Sequence, residues 1–298
     1  MSDNTISASA LIDAAQHISE WRRFCRVFLG RKLVVFGLTI IVLFVLIAIF
    51  ASLIAPYPAN TPDLASALQG PSSKHWLGTD AMGRDTLSRI IYGSQTSLKI
   101  GLIVVTFACL SGIILGTIAG YYGGWTHSVI MRLIDALMSF PMILLAMVIT
   151  ALMGSGMRNV IIALSVAMMP TYARVMCAQV LSIKENDYVT ASRSIGASNL
   201  RIMLRHTIPN CFPPLIVLVT MMLGGVILVE AGLSFLGIGI KPPTPTWGNM
   251  INDGRLYLLT LPILSFAPGF ALMSLIFAFN MVGDGLRDAL DPRLRGVL

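Results

Sequence analysis

Asp187-Tyr-Val-Thr-Ala-Ser-Arg-Ser-Ile-Gly-Ala-Ser-Asn-Leu-Arg-Ile-Met-Leu-Arg-His-Thr-Ile-Pro209 is a polar, basic island between long apolar segments. Its spacing predicts two short helices joined at a glycine. Tyr188, Ala191, Ser192 and Ile195 fall at i, i+3, i+4 and i+7, one face of a helix. Gly196 permits a turn, and Ser198 is placed to cap a second helix bearing Leu200, Met203, Leu204 and Thr207 at the same spacing. Pro209 is expected to end that helix. A compact helix–turn–helix held outside a membrane is a natural docking element for a soluble partner.

The flanks establish that a membrane is present. The chain is 55% hydrophobic and 12% charged, with mean hydropathy +0.79, whereas soluble domains carry about 25% charged residues. Its solvent is lipid. The net charge of +7 therefore belongs to membrane topology first. The basic residues are scattered among apolar spans and build no RNA- or DNA-binding module. Cys25, Cys109, Cys177 and Cys211 form no paired motif, and His17, His75, His127 and His206 show no ligand spacing, so no metal site is expected.

About 20 apolar residues cross the hydrocarbon core. Runs over 33–55, 100–120, 136–152 with its flanks, 160–180, 215–240 and 261–282 meet that length, which makes six predicted spans. The run 160–180 contains Pro170, with Arg174 near one end where it can snorkel to the headgroups. The first run is too long, and its leader too extended, for a cleaved signal peptide. Within that leader Trp21, Phe24, Cys25 and Phe28 share a helical face opposite Arg22, Arg23 and Arg26, the pattern of an interfacial helix or of a basic flank. With the amino terminus inside, the inner segments hold two thirds of the 21 Lys and Arg residues, among them Arg287, Arg293 and Arg295. Both termini and the 187–209 island are then cytoplasmic.

The resulting architecture is an all-α, polytopic membrane protein. It divides into a cytoplasmic segment 1–32, a first span 33–55, an outer loop 56–97, a transport core 98–283 with a cytoplasmic loop 182–210, and a tail 284–298. The outer loop mixes Gly, Asp and Arg in the manner of an ordered surface segment. Gly112, Gly116 and Gly120 form successive Gly-x-x-x-Gly units, which let helix backbones approach closely in lipid. Pro141, Pro170, Pro262 and Pro268 suggest kinked or broken helices.

Catalytic chemistry is not written in this chain. It has no Gly-x-x-x-x-Gly-Lys-Ser/Thr phosphate loop, no His-Glu-x-x-His and no Gly-x-Ser-x-Gly elbow, so no catalytic residue is assigned. Glu230 is the one acid well inside a span. It lies either on a translocation path or in an internal hydrogen bond that fixes its helix.

The island resembles the cytoplasmic loop of the permease subunits of bacterial ABC importers, Glu-Ala-Ala-x3-Gly-x9-Ile-x-Leu-Pro. The matching positions are Thr190, Ala191, Ser192, Gly196, His206, Ile208 and Pro209, with Thr190 in place of the acid and the Gly-to-Pro spacing kept. Trp76-Leu-Gly-Thr-Asp-Ala-Met-Gly-Arg-Asp-Thr-Leu-Ser-Arg89 resembles an outer-loop signature of the dipeptide/oligopeptide/nickel branch. So do Gly120-Tyr-Tyr-Gly-Gly-Trp125, Leu233-Ser-Phe-Leu-Gly237, Pro242-Pro-Thr-Pro-Thr-Trp-Gly248 and Gly283-Asp-Gly-Leu-Arg-Asp-Ala-Leu-Asp-Pro292. Within the branch the chain looks like the second permease.

The resemblance implies a type I importer core in a bacterial inner membrane. A homologous second permease would pair with the chain, and two cytoplasmic ATPases would each receive one coupling loop. An extracytoplasmic binding protein would deliver peptides or a related small solute. ATP and Mg would sit on the ATPases and not on this chain. In the loop, the apolar faces around Ala191, Ile195, Leu200 and Leu204 would bind a partner groove, and Arg193, Arg201 and Arg205 would meet acids or serve as the inside-positive signal. Two other readings stay open: an ion-coupled carrier using Glu230, and a membrane scaffold.

Overall fold

The computed structural model describes residues 20–290. The side chains of Trp21, Arg22 and Arg23, and Arg293 and Arg295 of the tail, lie outside the described residues. Helix α1 (Glu20–Gly30) leads into α2 (Lys32–Ile49), which a short turn of helix, Ala51–Ile54, continues. A long loop follows, then α3 (Thr86–Tyr122), α4 (Gly124–Met138), α5 (Met142–Met153) and α6 (Met157–Ile183). The island supplies α7 (Asp187–Ser194) and α8 (Asn199–Ile202). The chain ends in α9 (Ile208–Phe235), α10 (Trp247–Gly254) and α11 (Ile263–Leu290).

Among the described residues five helices are long and apolar enough to cross a membrane, or up to 6 if the bent pair α4–α5 counts as one span. The expected third span is thus not one helix. α4 and α5 meet at 90°, because Pro141 has no N–H to continue the ladder and its ring disfavours helical geometry at Phe140. The Ser139 hydroxyl closes the end of α4 by donating to the Ala136 carbonyl at 2.7 Å. By contrast, Pro170 lies buried inside an unbroken α6.

α3 is the spine. It starts at Asp85, well before the apolar run at Ile100, so the loop expected over 56–97 ends at Asp85. The Asp85 carboxylate accepts from the Ser88 N–H at 2.8 Å and the Ser88 hydroxyl at 2.7 Å, and from His75 Nδ1 at 2.9 Å. Arg89 lies buried on the first turns and donates to the Ala59 carbonyl at 2.9 Å. Asp80 takes the Arg84 Nε at 2.7 Å and lies 3.5 Å from the Arg89 Nε. The segment between α2 and α3 is therefore an ordered cap held by buried, mutually satisfied charges.

Further along, Gly112, Gly116 and Gly120 face α6. A Cβ on Gly112 would come within 2.5 Å of the Tyr172 Cβ, and one on Gly120 within 2.8 Å of the Val180 Cβ. The glycine run is the seam along which α3 and α6 touch backbone to backbone. α9 packs against α11, and α11 against α2. α2 buries Val34, Gly37 and Ala48 and exposes most of its remaining apolar surface, as a lipid-facing helix does. α1 rests on α11, with Phe24 and Phe28 stacked at 5.5 Å and Arg31 paired to Asp288.

α10 is a short helix wedged between α9 and α11. Its Trp247 is fully buried, meets the Phe44 ring edge-on at 5.7 Å and donates from Nε1 to the Ile90 carbonyl at 3.1 Å. Trp247→Phe removes that donor and leaves a small void, so the unfolding midpoint in detergent should fall by the equivalent of about 2 kcal/mol. An unchanged midpoint would show that the indole does not hold α10 in place.

Candidate functional site

The island is a rigid bracket. α7 ends in the hydrogen bonds of a Schellman motif: the Gly196 N–H donates to the Arg193 carbonyl at 3.0 Å and the Ala197 N–H to the Ser192 carbonyl at 3.1 Å. Gly196 has φ +82, the left-handed conformation that closure requires, with nothing near a would-be Cβ. Ser198 then caps α8 by accepting from the Arg201 N–H at 3.4 Å.

Pro209 does not end the second helix, contrary to expectation. α8 passes through a π turn, Met203–Thr207, into α9, and residues Asn199–Phe235 run on as one span. The wider turn lets the Ile208 N–H reach the Met203 carbonyl. It also relieves the clash a proline ring makes one α-turn back, and the first turn of α9 needs no donor from Pro209.

The bracket has a buried and an exposed side, and this splits the stripe expected on the second helix: Met203 and Thr207 are buried, Leu200 and Leu204 exposed. Val189, Ile202, Met203 and Thr207 are buried and anchor the bracket to the core. Tyr188 (43% exposed), Ile195 (86%), Leu200 (62%) and Leu204 (58%) point outward together with exposed Ala191. Thr190 and Pro209 are also exposed, while Ser192, His206 and Ile208 are half-buried. The Ser192 hydroxyl donates to the Tyr188 carbonyl at 2.8 Å, and the His206 ring lies 6.4 Å from that of Tyr188.

The end of α3 braces the bracket from below. The Tyr121 hydroxyl donates to Asn199 Oδ1 at 2.9 Å, and the Arg193 guanidinium lies over the Tyr121 ring at 5.9 Å. The Lys184 ammonium donates to the Gly120 carbonyl at 3.3 Å. Val189, Ile202, Tyr121 and Asn199 were not picked out from the sequence. The available signal was that Val189 and Ile202 lie just off the chosen apolar faces, which implies a second apolar side.

Glu230 lies elsewhere, 21 residues beyond Pro209 and so about 32 Å along the helix. It is 1% exposed and accepts from the Ser234 hydroxyl at 2.7 Å through Oε1, while Oε2 meets no protein donor. Ser234 Oγ accepts in turn from the Ile240 N–H at 3.3 Å, and Asn249 Nδ2 donates to the Ile240 carbonyl at 2.7 Å. Glu230 thus makes the internal hydrogen bond, in a chain of contacts that joins the end of α9 to α10. Arg174, expected to snorkel, pairs with Asp135 of α4. Among the described residues no group of three or more His, Cys, Asp or Glu is placed to hold a metal ion.

Comparison with known proteins gives matches over most of the chain. Residues 112–296 match the family model described as binding-protein-dependent transport system inner membrane component. Residues 19–71 match the N-terminal TM domain of oligopeptide transport permease C. The chain is 42% identical over 278 residues to the dipeptide transport system permease protein DppC of Alkalihalophilus pseudofirmus, covering 93% of this chain and 91% of that one. It is 41% identical over 292 residues to the glutathione transport system permease protein GsiD of Escherichia coli O6:K15:H31, covering 98% and 96%. Among solved structures, an inward-facing MetNI methionine ABC transporter chain aligns with TM-score 0.57 at 18% identity, over 69% of this chain and 97% of that chain. An amino acid ABC transporter aligns at 0.52 and 17% identity, over 70% and 95%. At those identities the structures support the fold alone.

Proposed function

This chain belongs to the family of binding-protein-dependent transport system inner membrane components, and on that premise we propose that it forms half of the membrane pathway of an ATP-driven importer for short peptides or a peptide-like solute. It is a pore subunit and not an enzyme. Dipeptide and glutathione transport by relatives supports the substrate class.

The observation that carries the coupling role is the outward stripe Tyr188, Ile195, Leu200 and Leu204 on a bracket whose other side is locked into the core. Side chains of this size gain about 1.5–3 kcal/mol each when fully buried, so exposed together they suit a partner groove. The occupant is a cytoplasmic ATPase, one for each of two permeases, and ATP and Mg are handled there. The second permease is a homologous chain, and a binding protein delivers solute from outside. Both termini then face the cytoplasm with the bracket, in line with the Lys and Arg distribution.

The bracket also has the mechanics of a lever. α9 leaves it through a continuous π turn, and α6 reaches it through a three-residue turn closed by the Asn186 N–H on the Ile183 carbonyl at 3.1 Å, so a displacement of the bracket is passed to both spans. An ion-coupled carrier would need Glu230 to exchange its ion with solvent, but Glu230 is buried under α10 and engaged with Ser234.

A pull-down of tagged chain from its native membrane tests the assembly. Wild type should bring down a second permease and ATPases. Gly196→Asp puts a charge on the exposed turn at a modest backbone cost, since Asp tolerates positive φ better than most residues. It should lose the ATPases and keep the second permease. Recovery of wild type alone after gentle solubilisation would count against the importer assembly.

A further inference from the structure

A cleft of about 550 Å³ opens between α6, α9 and α11 near the bracket. Val175, Val217, Leu218 and Met221 give it apolar walls, yet three polar side chains converge on it: Gln179 from α6, Asn210 from α9 and Arg287 from α11. Among the described residues Arg287 forms no ion pair, whereas the neighbouring Asp288 is taken by Arg31. The guanidinium brings a positive charge to the cleft.

Acceptors stand on the α9 wall. Pro213 and Pro214 line the cleft inside the helix, and neither has an N–H. The carbonyl of Asn210, which lines the cleft four residues before Pro214, consequently lacks the N–H donor of a regular α-turn. Asn210 Nδ2 donates to the His206 carbonyl at 2.6 Å, which leaves Oδ1 as the open end of that amide. A cation on one wall thus faces acceptors on another across apolar surface.

We propose that this cleft is a release site for a short zwitterionic peptide. The α-carboxylate sits on Arg287, whose planar fork matches it, and the α-ammonium sits on the freed Asn210 carbonyl and the amide oxygens of Asn210 and Gln179. The volume falls within the roughly 300–1,000 Å³ of small-molecule sites. This assignment rests on the importer reading above and gives it a location. Two of the walls are the arms of the bracket, since α6 runs into it and α9 out of it. Movement of the bracket against α11 changes the span between Asn210 and Arg287, and with it the grip on both ends of the peptide. An anionic lipid headgroup would use Arg287 but brings few donors for the acceptors opposite.

The test uses the assembled importer with its binding protein in proteoliposomes, and compares uptake of radiolabelled alanyl-alanine with that of its C-terminal amide. Wild type, Arg287→Ala and Arg287→Lys are measured; one binding protein serves all three, so its own preference cancels in the free-to-amide ratio. Arg287→Ala should slow uptake of the free peptide about tenfold and lower the ratio by a similar factor, as for loss of a hydrogen bond to a charge. Arg287→Lys should retain most of both, and stimulation of ATP hydrolysis by loaded binding protein should not change. An unchanged ratio overturns the assignment. Parallel loss of uptake and ATP hydrolysis overturns it too, by placing Arg287 in assembly or coupling. A defect equal for both probes and dependent on vesicle phosphatidylglycerol marks a lipid site instead. If wild type moves neither alanyl-alanine nor glutathione, the peptide reading itself fails and the cleft assignment falls with it.

Discussion

Replacing Leu200 and Leu204 together by aspartate should reduce ATP-driven uptake to less than a tenth of wild type while the chain still accumulates in the membrane. Both side chains are more than half exposed, and the adjacent Ile202 and Met203 carry the packing of that turn. The fold therefore loses little. A docked partner loses two apolar anchors and must instead bury two carboxylates, each of which is costly to desolvate without a matching donor. Even about 2 kcal/mol per site, the scale of an interface hot spot, lowers docking affinity on the order of a thousandfold. The measurements are uptake, ATP hydrolysis stimulated by loaded binding protein, and chain abundance in the membrane. Normal uptake by the double variant would remove the bracket from the coupling mechanism.

Gly116→Leu should have the opposite signature, with loss of the folded chain itself. A Cβ at Gly116 would lie 2.4 Å from the Ala173 carbonyl oxygen and 2.7 Å from the Met176 Cβ, and the first of these is backbone that cannot rotate away. α3 and α6 must then separate along the most extensive helix contact of the bundle. Overpacking of a tight core costs about 1–3 kcal/mol, occasionally more, and a branched side chain at a backbone contact belongs at the top of that range or above it. Chain abundance and the unfolding midpoint in detergent should both fall sharply. Gly225→Ala is the matched control, because nothing lies within 4 Å of a Cβ there and alanine favours helix. Equal midpoints for Gly116→Leu and Gly225→Ala would mean that the seam is not the site of close packing.

The two substitutions separate what patterns of residues can and cannot encode. The turn at Gly196 and the cap at Ser198 were legible because each depends on a few adjacent residues and on backbone geometry alone. The division of the second helix between core and surface was not. Leu200, Met203, Leu204 and Thr207 share one predicted stripe, yet Met203 and Thr207 join Val189 and Ile202 in the core while Leu200 and Leu204 stay exposed. The start of α3 was hidden for a related reason. Ser88, Arg89 and Ser94 break the apolar run, yet they lie buried in the helix with partners supplied in part by distant chain, such as the Ala59 carbonyl. Pro209 misled because a π turn upstream accommodates it, and such a turn leaves no compositional mark.

What the sequence by itself determined is the membrane, the approximate places of the spans, the bracket between them and the family. All of these rest on local composition or short motifs, which do not depend on how distant segments meet. Tertiary structure alone decided that Met203 and Thr207 turn into the core while Leu200 and Leu204 stay exposed, that Ile240 and Asn249 link the Glu230–Ser234 pair to α10, and that Gln179, Asn210 and Arg287 share a cleft. Each of these joins residues far apart in the chain or chooses between two faces of one helix. That choice is made by which surfaces are already covered, and coverage is a property of the packed bundle.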